Sequence, residues 1–526
     1  MRAVGPAVEV IVFRTAVLFC LCLVALAVGV VSLAEPASSA RPTHGVPSAV
    51  SAPPGVYLKL DIESAITGFL PVDHPPHPER KPPSVPQLHR KFRSLLQRVL
   101  GNAAVSGIAV GEHWDHIQMS NSSYPYEPVG GYDWSYLDDV FSVADHLHKP
   151  VQLLITPGAN SPQALLDVLP SCNSLFAPRR YARPKRCGSV VFPRLQESIH
   201  ADSDVLPLPW NKRYNGAWHG FLRLLNRRYR ANREFAAIAV AGPVYASPEM
   251  ILPTSENTHH KQVDGMWGTL ISNAFPKRPG YRDTDAVFVD AWDMTIDFYE
   301  KLFSGVTLLL TPDSGSDLPD FSHQVEAKRG NDLYTRDCAA SIAEADPSNS
   351  LYKDLMGCEA KTEILAYFVR VPGPNGKATR DGGMRAGSPA TLQPGGIEVA
   401  GDIGVPGTKL LTELEPPPPI LIGAGADFDF PVSTKTRQKE GCRTYPKRKC
   451  VPLTVTEAAA NVLKVFFDHT SHGKAFGGTN GDGQVDFLGV PYLDVLYAER
   501  HPCAQLQDTL DAASQALTGQ TVDCSR

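Results

Sequence analysis

The chain runs to 526 residues, 43% of them hydrophobic and 20% charged, which is enough apolar material for a large core. Its formal net charge of −5 is too small over this length to argue for a nucleic-acid or an anionic-membrane partner. The 46 prolines and 42 glycines point to long irregular loops between regular elements rather than to wholesale disorder.

Residues 1–40 place Arg2 and Arg14 before an apolar run from about Ala16 to Ala34. Small residues at cleavage-like spacing follow, Ser32 and Ala34 or Ser38 and Ala40. This is the layout of a secretory signal peptide. The run also approaches the roughly 20 residues of a membrane span, so a single uncleaved N-terminal anchor is the alternative. Residues 41–54, rich in Pro, Ser and Ala, read as a tether, and 55–526 as the folded body. Either reading of the leader predicts a secreted or cell-surface protein.

From there strands and helices alternate. "VYLKLDI" (56–62) reads as a first strand, and "HRKFRSLLQRVL" (89–100) as a helix with Phe92, Leu95, Leu96 and Val99 on one face. "GIAVGEHW" (107–114) is a second strand. The helix at 133–149 has Asp133 as N-cap and Leu137, Val140, Phe141, Ala144 and Leu147 inward. "VQLLITPG" (151–158) is a third strand, and a basic, proline-rich loop is expected over 159–214. A helix at 218–229 with Trp218, Phe221, Leu222, Leu225 and Tyr229 inward precedes the fourth strand, 235–242. A helix at 285–303, with Val289, Trp292, Ile296, Tyr299 and Phe303 in phase, leads to a fifth strand at 306–312. The sixth and seventh strands are placed at 381–387 and 419–430, a capped helix at 454–470, and the eighth strand at 485–498. Ordered alternation of eight strands with helices predicts an α/β fold, a closed (β/α)8 TIM barrel with long loops, in one domain. No strand–GxGxxG–helix unit supports a dinucleotide site, and no GxSxG supports a serine hydrolase.

Ten cysteines are present, and Cys20 and Cys22 lie in the leader. The other eight fall as sequence neighbours in loop-like or terminal regions. In an exported chain this predicts four local bridges: Cys172–Cys187, Cys338–Cys358, Cys442–Cys450 and Cys503–Cys524. None has the spacing of a zinc site. The adjacent pair His259-His260 near Glu256 reads as a solvated loop, because neighbouring histidines rarely face one ion. "TNGDGQVD" (479–486) lacks the ligands of a calcium loop. No metal or organic cofactor is implied.

In a barrel of this kind the chemistry sits just after the strands, on their C-terminal face. The residues there are Asp61 and Glu63 after strand one, Glu112, His113, Trp114 and Asp115 at strand two, and Tyr245 and Glu249 after strand four. Asp313 follows strand five, Asp427 and Asp429 end strand seven, and Tyr492 and Asp494 lie in strand eight. Carboxylates mixed with aromatic rings suit a sugar, whose C–H faces stack on rings while carboxylates bind hydroxyls and move protons. Each residue also has an ordinary structural reading: Glu249 as a loop carboxylate, Asp427 as a hydrogen-bonding residue, Trp114 and Trp210 as pocket wall or core.

"GIAVGEHWDHIQMS…YDWSYLDDVFSVADHLHKPVQLLITPG" and "PLPWNKRYNGAWHGFLRLLNRRY…IAVAGPVYASPEM" resemble clan-A glycoside hydrolases of the β-galactosidase and cellulase type, over about residues 105–250. The resemblance implies an acid/base after strand four and a nucleophile at the end of strand seven. Glu249 and Asp427 stand nearest those positions. The Asn-Glu pair that closes strand four in that clan is missing, Glu249 arrives several residues later, and no Glu ends strand seven. What the resemblance implies is hydrolysis of O-glycosidic bonds in an oligo- or polysaccharide by two carboxylates. Asp61, Glu63, His113, Trp114, Tyr245, Asp313 and Tyr492 would line the carbohydrate site. The alternative is a barrel without catalysis that binds a glycan or a cell-surface partner.

Overall fold

The computed structural model describes residues 55–67, 83–119, 131–174, 187–191, 205–246, 249–254, 258, 263–277, 286–310, 318–319, 364, 367–368, 390–392, 421–425, 487–491, 495 and 505–518. All of them lie within one unit, Ala49–Arg526. The expected leader and tether, the strand at 381–387, the helix at 454–470 and three of the four predicted bridges lie outside the described residues. Among the described residues no helix is long and apolar enough to cross a membrane.

Eight strands close into a barrel in chain order. They are β1 (Gly55–Asp61), β2 (Val105–His113), β3 (Val151–Thr156), β4 (Phe235–Ala239), β5 (Thr307–Leu310), β6 (Ala390–Leu392), β7 (Leu421–Gly425) and β8 (Phe487–Pro491). Every neighbouring pair is parallel, and β8 pairs with β1 through Phe487 opposite Gly55 to shut the ring. A parallel sheet covered by helices must bury both faces of its strands. In β1, Val56, Leu58 and Leu60 join the large core between sheet and helices. Tyr57 belongs to a separate, smaller cluster with Ala236, Ala237, Ala239 and Leu309. At Gly107, opposite Tyr57 in the register, an added Cβ would come within 2.5 Å of the Tyr57 ring and 2.8 Å of the Pro150 carbonyl oxygen. Only a glycine lets ring and backbone meet there.

The outer layer follows helical periodicity. Helix α1 (Ile62–Thr67) leaves β1 directly, and α2 (Val85–Leu100) buries Leu88, Phe92, Leu95, Leu96 and Val99. The one-turn helix α3 (Trp114–Ile117) follows β2, and α4 (Ser135–Leu147) buries Leu137, Val140, Phe141 and Ala144. Asp133 sits one residue before the cap of α4 and its Oδ1 accepts from the Ser135 amide at 2.8 Å, and the helix stops at His148, which turns left-handed at φ 54°. The buried carboxylate of Asp139 on α4 meets His89 Nδ1 at 2.6 Å and the guanidinium of Arg93, so one charge fastens α4 to α2. Helix α5 (Lys212–Tyr229) starts earlier than the hydrophobic period alone suggests, because Asn211 caps it by accepting from the amides of Arg213 and Tyr214. Its face of Tyr214, Trp218, Phe221, Leu222, Leu225 and Tyr229 is buried. Helices α6 (Val263–Ala274), α7 (Ala286–Leu302) and α8 (Gln505–Thr518) follow along the chain.

The segment expected to be loop after β3 carries a small sheet of its own, from strands at Ser171–Ser174, Ser189–Val191 and Val205–Pro207. Its pieces are too short to give a periodic signal, yet Val190, Leu206 and Leu208 reach the main core. The predicted Cys172–Cys187 bridge is present, with Cα atoms 5.0 Å apart. Closing a loop of this size stabilises by about 3 kcal/mol in the chain-entropy picture.

Candidate functional site at the C-terminal rim

The polar residues of the rim gather where β1 and β2 end. Asp61, the last residue of β1, accepts from the Ser64 amide through Oδ1 at 2.7 Å, which satisfies an otherwise orphaned donor at the start of α1. That cap fixes the direction in which α1 leaves the barrel and so places Glu63 in its first turn. Glu112, near the end of β2, is 6% exposed. Its Oε1 accepts from the His113 amide at 2.9 Å and lies 3.0 Å from His116 Nδ1. His113 is the residue from which α3 springs, and the turn brings His116 back over it, with ring centroids 4.9 Å apart. One donor atom each from Glu63, His113 and His116 lies within 4.8 Å of the other two, and all three residues are half-buried.

The same turn sends Trp114 the other way. Its indole is fully buried, donates to Gln118 Oε1 at 2.8 Å, and packs on Trp218 and Phe221 of α5 at centroid distances of 5.0 and 5.6 Å. Trp114 therefore belongs to the core between barrel and helix, the second of the two structural readings its sequence context allows.

The exits of β3 and β4 are built differently. After β3 the chain makes a tight turn over Gly158–Asn160, and Gly158 adopts φ 75°. A Cβ there would lie 2.2 Å from the Tyr245 carbonyl oxygen. The Ala159 amide donates to that oxygen at 2.7 Å, and the buried Asn160 side chain donates to the Ala246 carbonyl at 3.1 Å. From outside, the Tyr214 hydroxyl donates to the Gly242 carbonyl at 2.7 Å and accepts from the Gly158 amide at 3.2 Å. Burial pushes the Tyr214 phenol well above its usual range, and the Gly158 bond offsets only part of that. Trp218 Nε1 donates to the Ala241 carbonyl at 2.8 Å. Tyr245, 1% exposed, donates its amide to the Ile251 carbonyl, while the Ile251 amide returns to the Glu249 carbonyl at 2.7 Å. Glu249 is half-buried, and its carbonyl is held by the Ile251 amide.

No protein-family model matches the chain, and no curated protein matches its sequence. The chain is similar to solved glycoside hydrolases. The catalytic domain of β-amylase from Paenibacillus polymyxa shares 8% identity over 90% of this chain and 100% of that one, at a TM-score of 0.39. Xylanase 10C from Cellvibrio japonicus shares 10% over 91% of this chain and 73% of its own, at 0.31. Endo-glycoceramidase II from Rhodococcus sp. shares 12% over 64% and 65%, at 0.24. At these identities and TM-scores the likenesses decide neither reaction nor substrate.

Of the residues singled out in the sequence, Asp61, Glu63, His113, Tyr245 and Glu249 belong to the strand exits just described, whereas Asp313, Asp427 and Tyr492 lie outside the described residues. The structure adds His116 to the residues named at the rim, and it gives Glu112, already among them, the part of steadying that histidine. The His-x-x-His spacing of 113 and 116 directly after a strand was the signal available, since one helical turn after a strand end brings both rings to one side.

Proposed function

We propose that the chain is an exported glycoside hydrolase-like protein. It would hydrolyse O-glycosidic bonds of an oligo- or polysaccharide with two carboxylates at the C-terminal mouth of the barrel. The observation that carries this reading is the rim itself: Glu63, Glu112 and Glu249 follow or end three different strands of a closed parallel barrel, on the face where such barrels hold their chemistry. A turn braced like that of Glu249 suits a general acid, whose carboxyl must be held against the leaving oxygen while it gives up its proton. The second carboxylate, for which Asp427 is the candidate after β7, would stabilise or attack the developing oxocarbenium carbon. Glu249→Gln keeps shape and removes the proton, so turnover on a cleavable glycoside is expected to fall by about 10²–10⁴-fold with the melting temperature unchanged. Normal turnover in that variant would remove Glu249 from the role. Export through the 1–40 leader is checked by sequencing the N-terminus of the protein recovered outside the cell.

A second reading, a barrel that binds glycan without cleaving it, draws on Glu249 lying well beyond Ala239, the last residue of β4. Calorimetric binding of an oligosaccharide that the protein leaves intact over long incubation would favour it.

A further inference from the structure

We propose that Glu63, His113 and His116 form a binding site for one divalent transition-metal ion of the zinc class at the ends of β1 and β2. The donor set is two imidazoles and a carboxylate, the chemistry such ions select. Atoms bound to a common zinc ion at about 2.0–2.1 Å stand roughly 3.4 Å apart in a tetrahedral arrangement. The three donor atoms already lie within 4.8 Å of one another, so side-chain rotations alone can close the set. Each donor is held by its backbone. Glu63 stands in the turn capped by Asp61, His113 ends β2, and His116 is fixed by the single turn of α3.

An independent observation is Glu112. It is nearly sealed from solvent, and its Oε1 sits 3.0 Å from His116 Nδ1 while also accepting from the His113 amide. A carboxylate on Nδ1 keeps the proton on that side of the ring and leaves Nε2 with its lone pair for a ligand, the arrangement that supports metal-bound histidines. The surrounding charge has the right sign. Asp61, Glu63, Glu112 and Asp115 all lie within the same two strand exits.

The test uses the full chain, stripped with a chelator and titrated with Zn²⁺ by calorimetry and with Co²⁺ by visible absorption. One equivalent of Co²⁺ with ligand-field bands of a nitrogen–oxygen site is expected, with no thiolate charge-transfer band. His113→Ala and His116→Ala should abolish that spectrum. Glu63→Gln should weaken binding by about tenfold or more, and Glu112→Gln by about 10–100-fold through His116. The exposed His146→Ala variant should bind as the parent does. Circular dichroism on each variant separates lost binding from lost fold, and Glu63→Gln is the mildest change if a histidine variant fails to fold. Failure to bind any equivalent, a thiolate spectrum, or a spectrum unchanged by Glu63→Gln and His116→Ala would overturn the site. None of these readouts depends on glycoside turnover.

Discussion

The two halves of the described rim solve different problems. At the exits of β1 and β2 the side chains carry the polar groups: one capping aspartate, one buried glutamate, and a half-buried trio of Glu63, His113 and His116. At the exits of β3 and β4 the backbone does the bonding. Gly158, Ala159, Gly242, Tyr245, Ala246 and Ile251 exchange amide and carbonyl bonds with one another or with buried Asn160 and Tyr214. The first half holds groups that can exchange partners. The second holds a wall that cannot shift without breaking several bonds at once. Substitutions at the first should therefore cost function before stability, and at the second the reverse.

The sharpest way to break this contrast is Gly158→Val. A side chain there would meet the Tyr245 carbonyl oxygen 2.2 Å away and demand a left-handed conformation from a β-branched residue. A loss of about 3–5 kcal/mol is expected in chemical denaturation. A loss below about 1 kcal/mol would mean that the wall yields more easily than its bonds imply.

Tyr214→Phe is milder and has a pH signature. It deprives the Gly242 carbonyl and the Gly158 amide of their shared partner, costing about 1–3 kcal/mol at neutral pH. Burial raises the phenol above its usual value near 10 in the folded chain. Its contribution is therefore complete below that value and is lost as the pH rises above it, because only the unfolded chain ionises readily there. The alkaline decline in stability should be shallower in Tyr214→Phe than in the parent. Equal slopes would show that Tyr214 is not protected. Tyr57 and Tyr299, raised by burial in the same way, should continue to contribute to the decline.

The smallest effect is expected at the polar half. Asp61→Ala removes the cap from α1 and should cost only about 0.5–2 kcal/mol, while loosening the turn that carries Glu63. The informative outcome is a stability loss at the low end together with weakened metal binding. A large loss would place Asp61 in the scaffold alongside Gly158.

Much of the scaffold was legible in the sequence, because β1 to β5 are mostly apolar runs and α2, α4, α5 and α7 carry strong helical stripes. Their predicted inward faces, from Phe92 on α2 to Tyr299 on α7, are buried, except that Leu147 at the end of α4 is only partly covered. Shorter pieces were not legible. The β6 strand is only Ala390–Leu392, and the small sheet after β3 is made of three- and four-residue strands, below the length at which alternation can be told from chance. At the candidate site, residue types were legible but directions were not. His113 and Trp114 are consecutive, yet one belongs to the rim trio and the other to the aromatic core, and that split depends on a four-residue helix with no periodic signal. Asn160 and Tyr214 act through backbone partners far along the chain, which no local pattern encodes.

The contact between Tyr57 and Gly107 also constrains how this barrel can diverge. Shrinking the ring at 57 would open room for a side chain at 107, so the two positions look like a pair that could trade volume. The Pro150 carbonyl oxygen closes that route, because it stands 2.8 Å from the same Cβ position and does not move with the ring. A double-mutant cycle on Tyr57→Leu and Gly107→Ala should therefore recover only part of the cost of Gly107→Ala. The glycine is held by main chain on one side and ring on the other, so position 107 stays glycine whatever volume position 57 gives up.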